Sequence, residues 1–131
     1  MYASSLLSPV PHGFTEVADG DHRPGADGSA EARLLAALGA EGPVRTVTQV
    51  HGARVVRAEE ASLAVEADAI VSTVPGAVVA VRVADCVPIL LAAPGGVAAV
   101  HAGWRGTAAD IARVALRALL DATGARHGDV R

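Results

Sequence analysis

Val87-Pro-Ile-Leu-Leu-Ala-Ala-Pro-Gly-Gly-Val97-Ala-Ala-Val-His101 is two apolar runs separated by Pro94-Gly95-Gly96. Each run has strand length, and the Pro-Gly-Gly break is a turn signal. Residues 69–72 and 77–83 repeat the form around Pro75-Gly76. Strands joined mainly by tight turns predict an antiparallel α+β layering rather than parallel βαβ units. The runs are almost continuously apolar, which predicts sheets covered on both faces.

Outside this block the periodicity changes. After Gly103-Trp104-Arg105-Gly106, the residues Ile111, Val114, Ala115, Ala118 and Leu119 recur at helical spacing. They predict an amphipathic helix over 107–122, capped by Thr107 and closed near Gly124. Upstream, 45–51 alternates as a strand does, Gly52 allows a turn, and 54–57 forms another short run. A helix is expected over 30–38, capped by Ser29 and ended by Gly39. Residues 1–29 are rich in Pro, Gly, Asp and Ser, with Phe14 as the large apolar anchor, and read as loop.

The composition bounds the function. With 131 residues the chain fits one domain, within the usual range of roughly 100–200 residues. Aromatics are only 2% of a chain that is 51% hydrophobic, so Val, Leu, Ile and Ala must build the core. Net charge is −3 with no lysine at all, which argues against a nucleic-acid partner. A single cysteine excludes an internal disulfide and suits a reducing compartment. The N-terminus lacks a basic n-region and an apolar h-region, and Pro75, Arg82, Asp85, Pro88 and Pro94 interrupt the apolar stretch. The expectation is a cytoplasmic protein with no membrane span.

Three soft or borderline ligands sit at the rims of these runs: His51, Cys86 and His101. Each has a plainer reading. A lone cysteine is often a small buried hydrophobe, and a histidine ending a strand can be satisfied by backbone groups. Asp85 puts a charge directly before Cys86, and Pro88 cannot donate to a ladder, which favours an irregular strand entrance facing a cleft. If tertiary folding brings the three together, two imidazoles and a thiolate suit Zn²⁺ with a fourth position open. Copper(I) fits on softness but is less favoured. The same residues also allow a Cys–His nucleophile and base with a third group orienting the imidazole. Downstream, Gly103 and Gly106 permit tight turning or close approach. Arg105 and the amides of the expected helix can hold an anion, and Trp104 offers a flat face to a ring. The plainer alternatives are a packing tryptophan and a solvated arginine. His12, His22 and His127 read as surface residues.

Four ordered segments carry a resemblance: Gln49-Val50-His51-Gly52, Ala67-Asp68-Ala69, Ala84-Asp85-Cys86-Val87-Pro88-Ile89 and His101-Ala102-Gly103-Trp104-Arg105-Gly106-Thr107. Together they closely resemble the laccase-domain family over about residues 44–130. Pro11-His12-Gly13-Phe14-Thr15 weakly resembles the family's opening strand. Members are called multicopper polyphenol oxidase-like proteins, purine nucleoside phosphorylases and peptidoglycan editing factors. The resemblance implies a layered α/β/β/α sandwich with mainly antiparallel or mixed sheets, and a zinc site of His51, Cys86 and His101. It implies phosphorolysis of adenosine, inosine, guanosine or methylthioadenosine, and deamination of adenosine. One cysteine and two histidines fall far short of a multicopper oxidase's ligands.

The resulting expectation is a single domain over 1–131 acting as a zinc-dependent purine nucleoside phosphorylase. Cys86, His101 and Asp85 are the catalytic candidates, and Arg105, Trp104 and Gly106 the substrate- and phosphate-binding ones. The partners expected are a purine nucleoside and phosphate. A Cys–His amide hydrolase acting on peptidoglycan precursors is the alternative enzyme, and a truncated, non-catalytic metal-binding module the third reading. Family members run longer, with a second half of the fold after this helix. A sandwich shortened here is therefore expected, its missing layer belonging to a longer chain or to a partner such as a second copy.

Overall fold

All four residues of the strand Ala69–Ser72 are buried, a polar serine among them, and the other elements gather around it. In the computed structural model, which describes residues 1–131, the strands are β1 (Val44–Arg45), β2 (Val55–Arg57), β3 (Ala69–Ser72), β4 (Val78–Val79), β5 (Val87–Ala93) and β6 (Gly96–Ala102). The helices are α1 (Ser29–Leu38), α2 (Trp104–Ala108) and α3 (Ile111–Thr123). One sheet has the order β2-β3-β6-β5, and a second holds only β1 and β4. The turn-linked pair β5–β6 is antiparallel, with Leu90 opposite Ala99, and β3–β6 is antiparallel too. β2–β3 and β1–β4 are parallel. The class is α+β with mixed sheets and no closed barrel.

Alternation along β6 sorts the core. Ala98, Val100 and Ala102 join Ala69 and Val71 against Ile111, Ala115 and Leu119 of α3. Alanine at the contact lets a helix lie close to the strands without voids. Gly124 closes α3 in the left-handed state, φ 70°, its N–H donating to the Leu120 carbonyl. On the opposite face Val56 and Ile70 pack with Val47, Ala58, Ala61 and Ala67. Towards β5 that face opens into a cleft of about 1760 Å³, lined by Leu90, Ala92 and Val97 among others. Coverage on both faces is therefore realised at the β2–β3 end and not at the β5 end.

Several local expectations need correction. The helix expected over 107–122 is two helices. α2 begins at Trp104 behind Gly103, so Thr107 is an interior residue whose N–H donates to the Gly103 carbonyl at 2.8 Å. Asp110, at φ 60°, separates α2 from α3; aspartate is one of the few residues that visit this conformation routinely. In α1, Ser29 is the first helical residue and Gly28 holds the cap position. The strand expected over 45–51 ends at Arg45, apart from an isolated parallel bridge of Thr48 with Glu66. That expected over 77–83 reduces to Val78–Val79. Pro88 lies inside β5 rather than breaking its entrance. The strand is at the sheet edge, where a missing N–H is tolerated.

Residues 1–29 are mostly loop, with 3-10 turns at Ser5–Leu7 and Val17–Asp19. Their buried apolar side chain is Leu7; Phe14 is half-buried and bridges Tyr2. His12 is not a surface residue. Its ring accepts from the Ser4 N–H at 2.8 Å and lies 2.7 Å from the Val10 carbonyl. No helix is long and apolar enough to cross a membrane.

Candidate metal centre

The centre draws on three segments, two of which are joined by one buried carboxylate. β6 sends Val100 and Ala102 towards α3, so His101 between them emerges on the other face, where it is 3% exposed. Asp68, immediately before β3, is 0% exposed. Its carbonyl accepts the His101 backbone N–H at 2.7 Å, and its Oδ1 lies 2.7 Å from His101 Nδ1. The same carboxylate accepts the backbone N–H groups of Val50 at 3.3 Å, His51 at 2.9 Å and Gly52 at 2.8 Å. A buried carboxylate needs such partners, because leaving water uncompensated costs several kcal/mol.

This capture explains why the strand expected over 45–51 gives way to a turn. Amides drawn towards Asp68 cannot also join a ladder, and His51 adopts φ 62°. Left-handed backbone at a non-glycine residue persists where its surroundings over-determine it. The result carries the exposed His51 ring to 4.8 Å from the His101 ring, centroid to centroid, at an interplanar angle of 80°. Cys86, free and half-buried, arrives from the bend just before β5. The available donor atoms of His51, Cys86 and His101 all lie within 4.8 Å of one another.

Chemistry and space agree that this cluster fits a metal ion. Asp68 holds the Nδ1 side of His101, which leaves Nε2 to point its lone pair elsewhere, the usual arrangement behind a ligating histidine. Ligands of a four-coordinate zinc sit roughly 2.0–2.3 Å from the ion, so the three donors must draw closer together than 4.8 Å to share one. Glycine at 103 keeps the cradle open: a Cβ there would stand 2.8 Å from His51 Cδ2 and 3.4 Å from Cys86 Sγ.

The other candidates are placed less uniformly. Trp104 is 75% exposed, which rejects a role as packing anchor. The Arg105 guanidinium lies over its ring, 5.3 Å from the centroid. Gly106 is enclosed instead of open to an anion; a Cβ there would meet the Gly52 carbonyl oxygen at 2.6 Å. It lets α2 pack against the His51 turn. Asp85 is exposed and takes no hydrogen bond or ion pair from the chain, Cys86 included. α2 has only five residues, so the strong dipole expected from one long helix at this turn is absent.

Two contributors were not singled out from sequence as site residues. Asp68 is one, although Ala67-Asp68-Ala69 contains a detectable signal: a charge between two alanines at a strand start. Gln49 is the other. Its Nε2 donates to the Arg82 carbonyl at 2.7 Å, and its Oε1 accepts the Arg82 N–H at 2.8 Å. His22 also departs from a surface role, since it is half-buried and its carbonyl accepts from Arg82 Nε at 2.6 Å.

The chain is similar to known proteins over most of its length. A family model described as multi-copper polyphenol oxidoreductase laccase matches residues 18–131. A protein of Deinococcus radiodurans named purine nucleoside phosphorylase is 42% identical over 117 residues, covering 75% of this chain and 45% of that protein. The crystal structure of Neisseria meningitidis NMB0706 superposes with a TM-score of 0.64 at 32% identity, over 85% of this chain and 46% of that one. YlmD of Geobacillus stearothermophilus gives a TM-score of 0.66 at 29% identity, over 77% and 42%. The chain thus spans less than half the length of these relatives.

Proposed function

Because the chain belongs to the multi-copper polyphenol oxidoreductase laccase family, we propose that His51, Cys86 and His101 hold one zinc ion and that this centre serves phosphorolysis of a purine nucleoside. The observation that carries the reading is the convergence of two imidazoles and a thiol within 4.8 Å, one imidazole backed by a buried carboxylate. The purine nucleoside class comes from the name of the Deinococcus radiodurans relative. Zinc is preferred over copper because imidazoles supply two of the three donors, and because a single cluster cannot assemble a multicopper set. Bound zinc supplies a Lewis acid that polarises a substrate oxygen or a water molecule.

The chain's own residues would do the rest. Arg105, exposed beside the centre and free of ion pairs, can grip phosphate through paired N–H donors. With α2 so short, the anion falls to this side chain and not to a helix end. Trp104 presents an open aromatic face to the purine. A phosphate oxygen forms the new bond to ribose C1′ while the C1′–N bond breaks, its electron pair leaving with the base. Asp85, one residue before Cys86 and without a partner in the chain, is the group we assign to proton transfer at that base.

The test is incubation of zinc-loaded protein with adenosine and phosphate. Adenine and ribose 1-phosphate are expected, with Arg105→Ala raising the KM for phosphate. No release of base by folded, zinc-loaded protein overturns the reading, and inosine as product would redirect it to deamination.

A second reading draws on the 2.7 Å contact of Asp68 with His101. A carboxylate-backed imidazole with a thiol near it also describes a Cys–His nucleophile, here for amide hydrolysis in peptidoglycan precursors. An acyl adduct on Cys86 in metal-free protein would favour it. Protection of Cys86 from iodoacetamide by zinc, with no adduct, favours the metal centre.

A further inference from the structure

Gln49 lies at a gap in the backbone pairing. β1 and β4 are parallel as far as Arg45 and Val79, and the Ala80 N–H still reaches the Arg45 carbonyl at 3.0 Å. Beyond that point the two segments pair no further through their backbones. The Gln49 amide then takes the place of a strand partner, donating to the Arg82 carbonyl at 2.7 Å and accepting the Arg82 N–H at 2.8 Å. His51 follows two residues after Gln49, and Cys86 four residues after Arg82.

No other hydrogen bond ties the second segment to the first. From Val81 to Cys86 every hydrogen bond passes through Arg82: the two to Gln49 and one from its Nε to the His22 carbonyl at 2.6 Å. Regular pairing resumes only at Val87, opposite Ala102. Asp68, by contrast, fixes the His51 turn against His101 and makes no bond to the Cys86 segment. The His51 turn is therefore tied to His101 by Asp68 and to the Arg82 segment by Gln49, while the β5–β6 ladder beginning at Val87 carries the other end of the Cys86 segment.

We infer that Gln49 is a positioning residue of the metal centre, whose side-chain amide sets the His51 turn against the segment that carries Cys86. It contacts neither the metal nor a substrate. This inference rests on the metal-centre reading for its effect on affinity, while the spatial claim stands without a metal. Groups that hold metal ligands in place commonly change affinity by about 10–100-fold when removed, so Gln49→Ala is expected to weaken zinc binding at least about tenfold. Gln49→Glu keeps the length and the acceptor for the Arg82 N–H but sets an oxygen against the Arg82 carbonyl. It is expected to weaken binding as well, and it preserves the packing if the alanine variant folds poorly.

Two measurements on wild type and both variants decide the matter. Zinc affinity is read by competition with a chromophoric chelator. In metal-free protein, nuclear Overhauser contacts from the Cys86 β-protons to the His51 ring report the Gln49 link, and those between the His101 ring and the His51 turn serve as a control. The expected result is weaker zinc binding and loss of the Cys86–His51 contacts, with the control contacts retained in folded metal-free protein. Wild-type affinity and wild-type contacts in the variants would overturn the role of Gln49. If wild type takes up no zinc, the metal-centre reading fails, and loss or retention of the contacts alone still decides whether Gln49 aligns the two segments.

Discussion

Asp68→Ala is expected to cost about 3–5 kcal/mol of stability, because several donors around one buried carboxylate lose their acceptor together. Four donors lose their acceptor at once: the N–H groups of Val50, His51 and Gly52, and Nδ1 of His101. A donor left unsatisfied in the interior carries a penalty of roughly 1–3 kcal/mol, and water entering the half-buried turn recovers part of the total. Against an ordinary domain stability of about 5–15 kcal/mol, the loss is large enough to leave part of the population unfolded. Asp68→Asn separates folding from function more cleanly. It keeps the shape and one acceptor, so the fold is expected to survive, while its amide NH₂ faces donors that need an oxygen. The His51 turn then loosens, His101 loses its orienting partner, and zinc affinity falls about 10–100-fold. Thermal melting and chelator competition check the two variants. Zinc binding by the Asp68→Asn variant as tight as that of wild type would refute the role given to this carboxylate.

Gly103→Ala is expected to disable the centre at little cost to the fold. The backbone at Gly103 has φ −74° and ψ 171°, a conformation that alanine adopts freely, so no backbone strain is added. The added methyl carbon would stand 2.8 Å from His51 Cδ2 and 3.4 Å from Cys86 Sγ. Because the His51 ring is exposed, it can swing away from this clash into solvent. Swinging away removes one of three ligands. Melting of the metal-free protein should therefore stay near wild type while zinc affinity drops more than tenfold. Gly106→Ala is the instructive contrast. There the obstacle is the Gly52 carbonyl oxygen at 2.6 Å, part of a backbone that Asp68 already holds, so relief requires shifting the chain itself.

How much of this was legible in the sequence depended on the source of each signal. Residues 69–72 form a strand as the apolar run predicts, and the runs around Pro94-Gly95-Gly96 pair antiparallel as β5 and β6. Their patterns are local, and burial enforces them. The parallel entry of β2 and the shortening of β1 and β4 have no such local signature. At His51 a strand-like alternation was overridden by Asp68, whose backbone partners at Val50, His51 and Gly52 lie 16 to 18 residues away in the chain. Spacing along the sequence could suggest His51, Cys86 and His101 as ligands, but their approach to one another depends on those long-range bonds. The break between α2 and α3 was likewise hidden, because aspartate at position 110 looks like any exposed helix residue until its backbone turns left-handed.

Elemental analysis of purified wild type beside His101→Ala tests the metal centre most directly. His101 is the ligand that Asp68 orients, and removing its ring leaves two donors where zinc needs at least three from the protein. The account predicts close to one zinc per wild-type chain and almost none in folded His101→Ala. Equal zinc in the two proteins, or none in either after growth and purification with zinc supplied, would contradict it.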